Sequence, residues 1–395
     1  MAYALLIASA FLFDLALNLP VGTMPLALSG DGATRTAVAL AMSAGMCTAL
    51  VASLPLGALA DRIGRLATLR AATALGSAAL LALAFVHGPL GGGIVLGIRS
   101  IAVVACMTAQ FAYAGELASE GRAVSTVATL GMIGNLTFAL APALSVVLWQ
   151  HGIGREQYAW ATVVALAGGA LTFALPAKHD IRPERGGARI LLRTAWLPAM
   201  AFSIAGSLQG GVNGSLAVLT FHERGIINGA AIFSAGALAA FALRYPAGRL
   251  VDRFGPRVIA WPVVIAQVVG CILAAQAFSL TQVLVAGAFL GTAWAAVVPV
   301  TVGLLFENSS RETRGAAMGA YNLAFSGGAA LGALLGAVAT LIGPGYPLAI
   351  ITCAVAPALA LPFVLRSRVP VASPHVTYEE QLTSIAAVPI GGAEA

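Results

Sequence analysis

Two charged residues stand deep inside otherwise apolar stretches. Asp14 lies about ten residues into the first hydrophobic stretch, and Arg99 about nine into the fourth, which runs the opposite way; at ~1.5 Å of helical rise per residue, both reach roughly 13–15 Å into a membrane. A charge at that depth costs at least ~2.5–3.5 kcal/mol, so it requires a partner or a wet cavity and is functional by default. The pair predicts proton coupling: Asp14 gains and loses a proton as Arg99 approaches and withdraws. A static buried ion pair and a counter-charge for a cationic substrate are the competing readings of the same residues.

Other polar side chains recur at helical spacing and predict a central cavity. Asn18 is one turn from Asp14, and Cys106, Gln110 and Tyr113 follow Arg99 on one face of the fourth stretch. Gln209 and Asn213 are a turn apart on the seventh, as are Asn322 and Ser326 on the eleventh. Trp294 is a candidate aromatic wall. Each amide taken alone reads equally well as an interhelical hydrogen bond, so the convergence is the signal.

The elements that must hold these residues follow from composition. Of 395 residues, 59% are hydrophobic and only 9% charged, too few polar side chains to clothe a water-soluble globule of this size. Twelve apolar stretches, each near the ~20 residues needed to cross a bilayer, fall at about 4–29, 36–60, 67–86, 90–116, 123–150 and 156–176, then 196–221, 228–251, 257–279, 281–306, 315–342 and 346–366. Helices are the expected spanning form. The fold class is therefore an all-α membrane protein with twelve transmembrane helices in two pseudo-symmetric six-helix bundles, residues 1–176 and 196–366. Residues 177–195 form a basic cytoplasmic linker and 367–395 a disordered cytoplasmic tail. The first helix lacks a basic leader and a cleavage site, and is expected to be retained.

The net charge of +6 comes from arginines scattered singly between helices, which fits orientation by the positive-inside rule and gives no nucleic-acid surface. Counting loops puts the arginine-rich side, with both termini, in the cytoplasm of a bacterial cell. Cys47, Cys106, Cys271 and Cys353 lie within apolar stretches and read as core residues, with no metal-type spacing.

One charged interruption occurs twice. Gly57, Asp61, Arg62 and Gly64 have counterparts Gly248, Asp252, Arg253 and Gly255 at one constant spacing, Pro55 and Pro246 included, and Glu116 pairs with Glu307 at the same spacing. The chain is a tandem duplication of two six-helix halves. Position 205, equivalent to Asp14, is alanine, so the carboxylate is not part of the repeated scaffold. Asp61 is expected at a helix N-terminus, where the dipole favours an anion. The charged group, with Arg65 beside the first copy and Arg244 inside the eighth stretch, predicts an ionic latch across the cytoplasmic gate. The competing reading is that the arginines only orient loops, and Arg244 could alternatively contact an anionic substrate.

The stretch Gly57-x-Leu59-x-Asp61-Arg62-x-Gly64-Arg65 resembles the loop 2–3 signature of the major facilitator superfamily, and Gly248 to Gly255 resembles its loop 8–9 copy. The wording Gly315-Ala316-Ala317-Met318-Gly319-Ala320-Tyr321 is similar to twelve-helix bacterial drug and metabolite exporters, and Arg99 to the fourth-helix arginine of the proton-antiporter motif, although no glycine follows it within Ser100–Val104. The resemblance implies rocker-switch alternating access driven by a proton gradient, without a cofactor. No nucleotide-binding loop or catalytic Gly-x-Ser-x-Gly frame is present, so the chain reads as neither an ATP-driven pump nor an enzyme. The expected function is proton-coupled efflux of a small amphipathic organic molecule by a monomer. Proton-coupled uptake and a non-transporting sensor are the alternatives.

Overall fold

In hydrocarbon every backbone polar group must be satisfied within its own segment, and the chain meets this requirement with helices. The structure is a computed structural model that describes residues 2–117, 123–176, 193–309, 314–343 and 345–367. The first six helices are α1 (Ala2–Gly30), α2 (Arg35–Ile63), α3 (Arg65–Phe85), α4 (Pro89–Leu117), α5 (Ala123–Gln150) and α6 (Glu156–Leu171). Then come α7, which runs Leu197–Val212, passes through a π turn at Asn213–Ala217 and ends with Val218–Glu223, and α8 (Ala231–Phe254), α9 (Pro256–Ala275), α10 (Leu280–Glu307), α11 (Arg314–Ile342) and α12 (Tyr346–Arg366). Ten of these are long and apolar enough to cross a bilayer as they stand. The other two are α7, interrupted by its π turn, and α8, which carries Arg244, Arg249, Asp252 and Arg253. The linker expected at 177–195, except Arg193 to Ala195, and the tail beyond Ser367 lie outside the described residues.

The packing falls into two sets. In the first, α1 packs on α4, α5 and α6, while α2 and α3 pack on α4; in the second, α7 packs on α11 and α12, and α10 on α8 and α9. The sets meet through α2 against α11 and α5 against α8. Small residues allow the close approaches: a Cβ added at Gly291 of α10 would collide with the Gly236 carbonyl of α8, and one at Gly332 of α11 with the Leu208 carbonyl of α7. Without a hydrophobic force between helices in lipid, such backbone contact supplies much of the attraction.

The duplicated interruption is tighter than the sequence suggests. Helix α2 continues to Ile63 and α8 to Phe254, and each turn is made by one glycine with positive φ, Gly64 at 90° and Gly255 at 82°. Asp61 and Asp252 consequently lie in the last turn of α2 and α8, at the negative end of their own helix dipoles, and the expected helix N-terminal setting is not found.

The two sets are bonded to each other at the end opposite the chain termini, here termed the distal end. Arg35 of α2 pairs with Glu223 of α7 at 2.7 Å, and the Thr36 and Thr340 hydroxyls share a hydrogen bond of 2.8 Å. Asn228 donates to the Ala143 carbonyl at 3.2 Å, and Gln150 and Ser234 donate to the carbonyls of Ile227 and Ala139. These contacts seal the distal end.

Candidate substrate cavity and coupling residues

A cavity of about 220 Å³ lies between the two sets, walled mostly by α7, α8, α10 and α11, with Met46 of α2 and Phe138 of α5 closing the near side. Glycines at 206, 210, 236, 287 and 291 line it; a Cβ at Gly210 would enter open space, whereas one at Gly206, Gly236, Gly287 or Gly291 would meet a neighbouring helix. The aromatic wall is continuous: Trp294 and Phe325 are nearly parallel at 14° with ring centroids 6.5 Å apart, and Phe138 meets Trp294 and Phe233 edge-on at 6.2 and 5.4 Å. Such edge-to-face packing orients the rings and leaves faces available for a flat solute.

One polar strip interrupts this wall. Tyr346 donates to Asn213 Oδ1 at 2.8 Å, and Asn213 donates to Gln209 Oε1 at 2.9 Å. Both amides line the cavity, and with its Oε1 accepting from Asn213 the Gln209 amide keeps its Nε2 donors. Asn213 opens the π turn of α7, a local widening often found at functional sites. Asn322 shares a helical face with Ala329, which lines the cavity, and is exposed two turns closer to the end carrying the termini; Ser326 is half-buried between them.

The N-terminal set holds charge instead. Asp14 is half-buried and makes no hydrogen bond or ion pair among the described residues. Asn18 is also half-buried, and Val21, on the same face of α1, packs into the cluster formed where the two sets meet. The stripe containing Asp14 thus reaches the central seam at Val21.

Arg99 does not form the expected pair with Asp14. It is buried and donates from Nε to the Leu17 carbonyl at 2.6 Å, with Nη2 directed at the same oxygen. Leu17 lies beside the turn of α1 that Pro20 opens, where a carbonyl is more available to an outside donor. Three of the expected cavity residues are likewise inside the N-terminal set: Gln110 donates to Cys106 Sγ at 3.0 Å, and Tyr113 donates to the Pro176 carbonyl at 2.7 Å. Asp14 lies within electrostatic reach of Cys106, which places these groups in one internal cluster.

A sequence profile described as Major Facilitator Superfamily matches residues 6–226 and 199–391, together nearly the whole chain. The chain belongs to the Major Facilitator Superfamily. The solved structures agree on the fold. A structure of the nucleoside transporter NupG matches with a TM-score of 0.79 at 14% identity, covering 93% of this chain and 100% of that one. A POT family transporter in complex with 5-aminolevulinic acid matches with a TM-score of 0.78 at 12% identity, covering 92% and 95%. A bacterial homologue of the human lysosomal transporter Spinster, in an inward-facing and occupied conformation, gives 0.74 at 12% identity, covering 92% and 96%. No individually curated protein sequence matches. The protein is a multi-pass membrane protein with the fold of a secondary transporter, which implies a small-molecule substrate and a bilayer around it.

In this superfamily transporter the expected gate charges have other neighbours. Glu307 pairs with Arg257 at 2.7 Å, and Arg257 also donates to the Ser367 carbonyl and hydroxyl, tying together the ends of α9, α10 and α12. Arg253 stacks over Phe254 at 5.2 Å and Arg249 over Tyr245 at 5.1 Å, while Arg62 is exposed. Arg65 donates to the Ala112 carbonyl of α4 at 3.4 Å. The side chains of Gly57's neighbours Ala58, Ala60 and Asp61, and that of Glu116, lie outside what the structure describes. In the sequence Arg257 reads as one of many orienting arginines; its position directly after the helix-starting Pro256 is the signal that sets it apart.

Proposed function

We propose that this chain is a proton-coupled exporter of a small amphipathic organic molecule, working by alternating access in a bacterial cytoplasmic membrane as a monomer with both termini in the cytoplasm. The carrying observation is the cavity between the two helix sets, which is sealed at the distal end and combines an aromatic wall with one amide strip. That combination suits a molecule with an apolar body and a few polar atoms. Asp14 supplies the proton site: a carboxylate at mid-depth, on the stripe of α1 that reaches the seam and without a hydrogen-bond or ion-pair partner among the described residues, changes its proton affinity when the seam opens and closes. Arg99, held by the Leu17 carbonyl, fixes the turn of α1 that carries Asp14.

The gate charges at the end carrying the termini act in the opposite conformation, in which Asp61, Arg62, Asp252 and Arg253 latch the cytoplasmic side. Export is tested in inverted vesicles with an imposed pH gradient. Substrate should accumulate when the lumen is acidic, and Asp14→Asn should abolish the gradient's effect. Gradient-driven flux that persists in Asp14→Asn eliminates the coupling role. Uptake by proton symport is the second reading, since the same carboxylate serves either direction and fold neighbours are described as nucleoside and POT family transporters. It requires flux down the proton gradient in the same vesicles.

A further inference from the structure

The aromatic cavity has a charged neighbour that the fold alone does not require. Arg244 lies on α8 with the cavity-lining Ala237 seven residues before it, hence on the same helical face and about 10 Å nearer the terminus-carrying end. Helical side chains lean toward the N-terminus of their own helix, so Arg244 leans back toward the cavity. From the opposite side, Tyr321 on α11 stands seven residues from that helix's start, at a neighbouring depth, and the two lie within electrostatic reach of each other across the space between α8 and α11. Tyr321 in turn packs on Phe325 at 5.7 Å, which joins the guanidinium to the aromatic wall.

Among the described residues Arg244 has no hydrogen-bond or ion-pair partner, and its Nε is buried without an acceptor. It stands ten residues before the end of α8, about 15 Å from that end, where an unpaired cation is costly. A guanidinium left with free donors beside an apolar site is a ready-made carboxylate fork.

The geometry points to a substrate that is a compact aromatic acid, its ring lying against Trp294 and Phe325 and its carboxylate taken by Arg244. The assignment rests on the reading of this cavity as the substrate site. An engineered apolar cavity of ~150 Å³ holds benzene, so about 220 Å³ accepts a one- or two-ring body, with the acid projecting toward the cavity mouth. The Gln209 amide reads a ring heteroatom or carbonyl on the far side, which accounts for the polar strip. Among the described residues no carboxylate lines the cavity, so a cationic solute meets no counter-charge from them.

The test is equilibrium binding of three probes of like shape, indole-3-acetate, indole-3-acetamide and tryptamine, to the purified full-length protein by calorimetry. Indole-3-acetate should bind at least tenfold more tightly than the amide and the amine. Arg244→Gln should weaken the acid tenfold or more without moving the amide, Arg244→Lys should keep the preference for the acid, and Trp294→Ala should weaken acid and amide together. Equal affinity for acid and amide, no binding of the acid, or equal losses of both in Arg244→Gln overturns the assignment. Flux in vesicles separates the two readings. Acid binding without gradient-driven flux supports the substrate class and removes proton-coupled export. Gradient-driven export of tryptamine that survives Arg244→Gln overturns the substrate class and leaves export standing.

Discussion

The centres of the two halves descend from one repeated plan and have become opposites. In the N-terminal half the mid-depth positions hold Asp14, Arg99, Cys106 and Gln110, with Arg99 bonded to the Leu17 carbonyl, Gln110 bonded to Cys106, and Asp14 without a hydrogen bond among the described residues. In the C-terminal half the position matching Asp14 is Ala205, and an open space is lined by glycines and aromatic rings. Symmetry of backbone does not require symmetry of task. Helices related by duplication can keep the same path while one set stores charge and the other shapes a void.

The sharpest way to break this comparison is to remove the charge. Asp14→Asn should reduce gradient-driven flux to background while leaving probe binding in the C-terminal cavity within about twofold, measured in the same preparation. Loss of binding as well would show that the halves share one site. Next comes filling the space that glycine leaves: Gly291→Leu forces α8 and α10 apart and should destabilise the fold by about 1–3 kcal/mol, read from thermal unfolding in detergent. An unchanged melting temperature would mean that this close approach contributes little.

Removing the aromatic face has a smaller effect. Trp294→Ala should weaken binding of an aromatic probe about tenfold, in line with lost ring contact, while the proton stoichiometry stays as it was. A change in stoichiometry would contradict the separation of tasks. The smallest effect belongs to the distal ion pair. Arg35 and Glu223 remain 57% and 31% exposed, so Arg35→Ala removes only about 0.2–1 kcal/mol from the distal seal. It should shift the balance of open and closed states by at most about fivefold, followed by labelling of a cysteine placed at the distal seam.

The twelve helices were legible in the sequence because a bilayer permits few alternatives to long apolar helices, and the duplication was legible because Asp61 and Arg62 reappear with their glycines as Asp252 and Arg253. Gln209, Asn213 and Trp294 were found because polar and large aromatic residues at helical spacing are unusual in such stretches. Phe138, Phe233 and Phe325 were missed, since a phenylalanine facing lipid and one facing a cavity look identical in sequence. Periodicity correctly placed Cys106, Gln110 and Tyr113 on one face of α4, but a face does not say which neighbour it meets. The partner of Arg99 was unreadable for a different reason: it is a backbone carbonyl, which every residue possesses.

The same consideration bears on the distal seal. Gln150, Asn228 and Ser234 all end their bonds on main-chain oxygens, those of Ile227, Ala143 and Ala139. Replacing any acceptor residue by another leaves the acceptor in place, so these three bonds tolerate sequence drift on one side and are vulnerable on the other, unlike the Arg35–Glu223 and Thr36–Thr340 pairs, which need both side chains. A chain that keeps these three donors can therefore change at positions 139, 143 and 227 and still shut at the same height.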